Sequence, residues 1–360
     1  MSFFRKFFPL PEYLLMPAVG IDISDRSVKY VELERKSDGL RLKGYDRKKM
    51  KEGVIKNGII ENKEELIKVL KEMKQKIDND YAIASLPEEK AFLKTVQLPF
   101  MEDYQIRKSL EVQLEEIIPF PPEEIIFDFE IARRSTKENK IEIVLSAFPK
   151  KVAGDYADVL KESGFKPIAF EVENQSVFRP LVRQGEEGAV MVVDFGKTRT
   201  SFLVGEDGFV KFGSTINVSG GHIDSSLSRT LNLDIFEAEK VKKKQSLQES
   251  EHGRILSSIL PAVSVIKDEV KRVLDYWQTC AKDQGFKNKD IDRIILCGGD
   301  SNMIGLVEYM SYELKKPVFV GNPWLNIASF DDYVPSMERK ESLMYVTALG
   351  LALRSFVITK

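Results

Sequence analysis

Two short stretches carry the residue types that phosphate chemistry needs. In Val19-Gly-Ile-Asp22-Ile-Ser24 and in Val192-Val-Asp194-Phe-Gly196-Lys-Thr-Arg-Thr200 an apolar run ends on an aspartate, turns tightly and enters a second apolar run. A carboxylate at a strand end can hold magnesium directly or through water. A tight turn rich in backbone N–H groups can cradle phosphate oxygens, and glycine lets backbone approach a ligand closely. One Asp-x-Gly turn usually does no more than join two strands. The same pattern opening both halves of one chain is a stronger signal. A third stretch, Ile294-Ile-Leu-Cys-Gly298-Gly299-Asp-Ser-Asn-Met-Ile, reads as strand, diglycine turn and helix, where a flat base could lie on bare backbone. Gly220-Gly221-His222 stands before a further helix and admits two readings, approach to phosphates or a plain strand–helix turn.

The elements around these stretches follow from hydrophobic period. Ala18 to Ile23 and Ser27 to Leu33 read as a hairpin through Ser24-Asp25-Arg26, with Val28, Tyr30 and Leu33 near one face, and Leu40 to Tyr45 as a third strand. Leu66, Ile67, Leu70, Met73 and Ile77 recur at helical spacing, and Tyr81 to Leu86 is a short buried strand. From Lys90 to about Pro167 the texture is that of a compact βαββα insertion: a strand ending at Pro99, a helix striped by Ile106, Leu110, Leu114, Ile117 and Ile118, two strands, and a helix closed by Gly164. The first of these helices stops at Pro119-Phe120-Pro121-Pro122, because proline lacks the amide donor and disfavours helix before it. The second half repeats the opening: strand 189–196, a hairpin turning at Glu206 to Gly208, helices at 220–231, 235–244 and 255–280, strand 291–297, helix 303–314, strand 318–320 and a final helix 342–355.

Composition excludes several classes of function. The 360 residues carry 54 Lys and Arg against 56 Asp and Glu, a net charge of -2, which argues against a nucleic-acid coat. Two histidines (His222, His252) and two cysteines (Cys280, Cys297) leave no His-based metal site and no disulfide framework. No window approaches the roughly 18 apolar residues of a membrane span. The aromatic and basic start, Met1 to Pro11, is broken by prolines before a signal-peptide core forms.

These motifs together resemble the actin/Hsp70/sugar-kinase nucleotide-binding superfamily and, within it, the PilM family of type IV pilus assembly proteins, relatives of FtsA. Asp22 falls in the first phosphate loop. Asp194, Gly196, Thr198 and Thr200 match the second, D-x-G-x-T-x-T, and Gly298-Gly299 match the adenosine motif. Ala238-Glu239-Lys-Val-Lys242 matches the A-E-x-x-K helix, whose Glu and Lys face ribose and base in relatives. Ile118-Pro-Phe120-Pro matches a signature of the inserted subdomain. The implied fold is α/β, an actin-like (ribonuclease H-like) two-lobed fold with an FtsA-type inserted βαββα subdomain. Its implied parts are a tail over 1–17, a first-lobe core over 18–90 and 168–188, an insertion over 91–167, and a second lobe over 189–360.

The resemblance implies ATP and magnesium as cofactors, with Asp22 and Asp194 serving the metal and Glu173 holding a water. Ser24, Lys29, Gly196, Lys197, Thr198, Gly220, Gly221, Glu239, Lys242, Gly298 and Gly299 would line the nucleotide. The first loop departs from the family's D-I-G-S-S-S: Ser24 stands for its glycine, where a left-handed turn would cost roughly 1 kcal/mol more, and Asp25 sets a carboxylate beside the expected phosphates. Lys197 and Arg199 bring charge to the second loop. Whether the chain is a slow magnesium-dependent ATPase or a scaffold that does not hydrolyse is left open.

The implied partner is the cytoplasmic N-terminal peptide of the inner-membrane protein PilN, bound as an extended segment in a groove between Leu86 to Pro122 and the adjoining first-half sheet, with Leu86, Leu93, Val96, Leu98, Ile106, Leu110, Leu114, Ile118 and Phe120 as its contacts. Other inner-membrane pilus assembly components, an indirect membrane attachment, a cytoplasmic location and a homo-oligomer complete the expectation, without nucleic acid. Two other readings stand beside it. A sugar kinase would need an acceptor pocket, of which no polar, aromatic segment is evident. An FtsA-like filament former would carry an amphipathic anchor, and none is expected after Arg354 to Lys360.

Overall fold

The computed structural model describes residues 16–37, 39–245, 247, 253–283 and 290–356. Most of the expected tail, His252, the side chain of Cys280 and the last four residues lie outside the described residues.

The chain opens with β1 (Val19–Ser24), β2 (Ser27–Lys36) and β3 (Gly39–Lys49), an antiparallel meander. A small pair, β4 (Ile55–Lys56) and β5 (Ile59–Ile60), precedes helix α1 (Lys63–Lys74), capped by the Asn62 side chain, and β6 (Tyr81–Leu86), which runs parallel to β1. The inserted unit follows: β7 (Phe92–Pro99), α2 (Asp103–Ile117), β8 (Ile125–Ser135) and β9 (Lys140–Pro149), a three-stranded sheet in the order β7-β9-β8. Glu102 and Gln105 form a capping box at the start of α2.

Helix α3 (Lys150–Glu162) then returns to the first lobe. Tyr156, Val159 and Leu160 pack with Leu66, Leu70 and Met73 of α1 against Val19, Ile21 and Ile23. The insertion is therefore βαββ over 92–149 rather than βαββα through 167, because the apolar stripe of α3 completes the core of the first sheet. Strand β10 (Lys166–Val172), whose alternating Ile168, Phe170 and Val172 are absent from the expected elements, closes that sheet in the order β10-β6-β1-β2-β3. Helix α4 (Glu173–Leu181) leads out of the lobe.

The second sheet is built the same way. β11 (Ala189–Phe195), β12 (Thr200–Glu206) and β13 (Phe209–Ile216) form a meander. Helices α5 (Gly220–Leu231), α6 (Ile235–Gln245) and α7 (Gly253–Asp283) follow. β14 (Ile291–Cys297), α8 (Leu306–Leu314) and β15 (Val318–Val320) complete the order β13-β12-β11-β14-β15. In each sheet three antiparallel strands adjoin two parallel ones, so the duplicated motif of the sequence is a duplicated topology.

The last helix, α9 (Val346–Arg354), does not stay with the second lobe. Ala348, Leu349, Ala352 and Leu353 pack with Trp324 against Val31 and Leu33 of the first sheet. Conversely Val177, Phe178 and Leu181 of α4 pack on Val190, Val192 and Leu203 of the second sheet. The boundary expected at 189 thus describes the chain and not the packing. Strand β2 is buried on both faces, Val28 and Tyr30 toward α1 and Val31 and Leu33 toward α9, so Leu33 does not share the face of Val28.

Candidate functional site

The two aspartates of the repeated motif come near each other where the lobes face one another, close enough for the Asp22 charge to act on Asp194 in this interlobe cleft region. Asp22 sits opposite Lys29 in the β1–β2 register, and the Lys29 ammonium donates to its carboxylate at 2.6 Å. Asp194, near the end of β11, is pushed up to about 6 by burial, with the Asp22 charge adding to the shift and Lys29 and Arg199 opposing it. Glu173, the first residue of α4, is raised by burial against the pull of Arg199, with Asp22 and Glu89 adding to the rise. Asp22, Asp194 and Glu173 therefore share one electrostatic environment. Among the described residues no group of three or more His, Cys, Asp or Glu side chains converges on a point where it could hold a metal ion.

The cations beside these acids, Lys29, Lys197 and Arg199, already have anionic partners. Arg199, in the β11–β12 turn of the second lobe, reaches across to Glu173 at 2.8 Å and to Glu89 of the first lobe. Lys197 pairs with Asp224 and, at 3.1 Å, with Glu239. Burial works against the ionised Glu239, but the ammonium groups of Lys243 and Lys197 hold its carboxyl down to about 2. Thr198 lies half-buried in the same turn. Burial also raises Glu88, to about 7, despite hydrogen bonds from Ser201, Asn174 and Thr215.

The glycines of the site are constrained by close approach. Gly298 has φ 86°, and a Cβ there would strike the Asp194 carboxylate and the Phe195 carbonyl. Its amide donates to the Leu343 carbonyl at 3.1 Å, and Gly299 opens a helical turn through Asn302. Gly220 and Gly221 donate to the carbonyls of Gly196 and Lys197, both at 3.0 Å. These amides are thus zipped to the second loop. His222 accepts or donates with Ser219 Oγ at 2.9 Å, a helix-start contact.

Several expected contributors stand elsewhere. Lys242 does not face the cleft: it is fully buried beneath Gly220, donating to its carbonyl at 3.1 Å and paired with Asp224 at 2.9 Å and with Asp300. A lysine can be buried this way only when carboxylates neutralise it. Ser24 needs no left-handed backbone, since its hydroxyl donates to the Ser27 carbonyl at 2.9 Å and closes an ordinary turn. Asp25 turns away to accept from the amides of Asn57 and Gly58 at 3.2 and 3.3 Å.

The expected peptide-binding residues are largely core. Leu98, Ile106, Leu110, Leu114 and Ile118 are buried together under the inserted sheet, Val96 packs on the same cluster, and Leu93 packs toward the second lobe. The helical stripe is spent on covering one face of that sheet. Phe120 is exposed, and Leu86 lines a groove. That groove, a cavity of about 170 Å³, runs between the opposite face of β8 and β9 and strand β10, with Phe148, Phe170 and Val172 among its apolar walls. Strands β8 and β10 each lie at the edge of their sheet. Sequence reasoning missed this face and also Asp224, Asp300, Glu88 and Glu89. The period-2 alternation of Ile126, Asp128 and Glu130 against Phe127 and Phe129 was the available signal for the groove. The acids carried no local signal.

The same architecture occurs in solved structures. A PilM-PilN type IV pilus biogenesis complex superposes with TM-score 0.78 at 22% identity, covering 95% of this chain and 99% of that one. The ethanolamine utilization protein EutJ from Carboxydothermus hydrogenoformans matches at 0.55 and 17%, covering 95% and 93%. MreB 5 of Spiroplasma citri bound to AMPPNP matches at 0.52 and 13%, covering 92% and 93%. The fold is the actin-like one. A model of the family described as type IV pilus assembly protein PilM matches residues 20–356, so the chain belongs to the family of type IV pilus assembly proteins PilM.

Proposed function

We propose that the protein is a nucleotide-responsive scaffold of type IV pilus assembly, docking the cytoplasmic N-terminal segment of an inner-membrane PilN in the groove between the inserted sheet and β10. The observation that carries the reading is two edge strands, β8 and β10, bordering one apolar groove. An extended peptide can pair with such an edge through its backbone while side chains fill pockets. No helix among the described residues is long and apolar enough to cross a membrane.

In the cleft the residue types fit a magnesium nucleotide. Asp22 and Asp194 offer the hard oxygen donors that magnesium takes, and the bare backbone at Gly298-Gly299 offers a surface for the base. Magnesium, when bound, neutralises and orients phosphate oxygens. Lys197, Arg199 and Lys29 would exchange their carboxylate partners for phosphate. Glu173 is the candidate for holding a water, but Arg199 grips its carboxylate and burial favours its protonated form. That arrangement favours binding with slow or absent turnover.

Two measurements test the proposal. Calorimetry of ATP with magnesium should show binding that Asp194→Ala abolishes; an isotherm unchanged in the variant would put the nucleotide elsewhere. Titration of a labelled PilN tail peptide should show an affinity that ATP alters. Equal affinities with and without ATP would remove the coupling, and no binding would remove the partner.

A further inference from the structure

The groove carries a polar feature that docking of an apolar strand does not use. On its β8–β9 wall Ile126 stands opposite Phe148, Asp128 opposite Ser146, and Glu130 opposite Val144. Each cation nearby is committed elsewhere. Arg179 grips Glu171 through both terminal nitrogens and donates to the Gly350 carbonyl at 2.8 Å. Arg354 donates to the Phe170 carbonyl at 3.1 Å and reaches Glu171 only at 3.9 Å. Arg107, from α2, takes Asp128 at 3.3 Å. Glu130 is left with the amide of Gln175 at 3.3 Å. Burial first, and the neighbouring Glu171 charge, push the Glu130 carboxyl up against the more distant pull of Arg179 and Arg354, neither of which touches it. One strand over, the Ser146 hydroxyl oxygen is buried without a hydrogen-bond partner.

A half-buried carboxylate with no cation in contact costs stability unless a ligand completes it. Among the described residues no three acidic, histidine or cysteine side chains converge to hold a metal ion, and Glu171 and Asp128, the other acids of the groove, are already taken by arginines. A lysine or arginine is better suited, since its alkyl stem can lie along Val144, Phe148 and Val172 while its charged head reaches the acid.

We infer that the groove selects an extended peptide bearing one lysine or arginine that pairs with Glu130. This inference rests on the groove being the peptide site and names the chemistry of its occupant. It is tested by fluorescence anisotropy with the labelled PilN tail peptide, in versions where each arginine is replaced by citrulline and each lysine by norleucine. On the wild-type protein one replacement should weaken binding about tenfold or more, the scale of a charged hydrogen bond. On Glu130→Gln the unmodified peptide should show the same loss, and that replacement should have no further effect. Equal affinity of the unmodified peptide for wild type and Glu130→Gln would overturn the inference while leaving the docking site intact. So would replacements that act identically on both proteins. Failure of every peptide to bind the wild type would instead overturn the docking reading, and the inference with it. Unchanged thermal unfolding of Glu130→Gln separates a lost contact from a lost fold.

Discussion

At the scale of residues, acids in the cleft compete for cations: Arg199 is shared by Glu173 and Glu89, and Lys197 by Asp224 and Glu239. Glu88 shows the consequence most simply. It lies in the turn between β6 and β7 and meets Ser201 and Thr215 of the second lobe, yet burial lifts its carboxyl from 4.5 to about 7. A carboxyl raised in the folded state binds its proton there more tightly than in the unfolded chain. Its ionisation therefore opposes folding, beginning near pH 4.5 and complete above about pH 7. Discounted for partial exposure, the effect is on the order of 2 kcal/mol. We expect the melting temperature of nucleotide-free protein to fall between pH 5 and 8, and Glu88→Gln to flatten that fall. An unaltered pH profile in the variant would assign the dependence to Asp194 and Glu173 instead. None of this could be read from the sequence, where Glu88-Glu89 is only an acidic turn.

At the scale of elements, two helices tie the lobes together. α4 packs under the second sheet and α9 under the first, and the two cross where Gly350 meets Ser176. A Cβ at Gly350 would collide with the Ser176 carbonyl, with Pro180 also close at 3.1 Å. Backbone atoms cannot move aside as a flexible side chain can, so Gly350→Ala should destabilise the fold by about 1–3 kcal/mol or more. Urea unfolding checks this; a variant as stable as wild type would mean the crossing is loose. The same scale explains what happened to the α2 stripe. Helical periodicity correctly located the buried face, but a buried face is by definition one that another element has covered. The groove described above lies on the sheet face that α2 leaves bare.

At the scale of the whole molecule, charged side chains add to the helix packing that joins the lobes. Arg199 clamps Glu173 and Glu89 in the cleft, and the Lys49 ammonium lies 5.7 Å from the centroid of the Phe236 ring at its mouth. Lys211 of β13 pairs with Glu142 of the inserted sheet and, at 2.5 Å, with Glu206. Removing one partner of a buried charge cluster leaves the others uncompensated. Arg199→Ala should thus loosen the lobes, raising amide hydrogen exchange in β12 and α4 roughly tenfold while exchange in α1 stays unchanged. Uniform acceleration across the chain would indicate global destabilisation and not a released clamp. Glu142 lies on the same face of β9 as Val144 and Ser146, two residues of the groove wall.

The sequence by itself determined the repeated strand–aspartate–turn, the order of nearly all elements, and the family. These rest on local quantities: hydrophobic period, proline and glycine punctuation, and short motifs. Only the tertiary structure decided that Lys242 is a buried counterion and not a ligand contact, that α3 and α9 belong to the first lobe, and that the groove runs along β8 and β10. Each of those outcomes depends on which apolar face meets which and which charge finds a partner far away in the chain. Such pairings are set by long-range packing, and periodicity along the chain does not encode them.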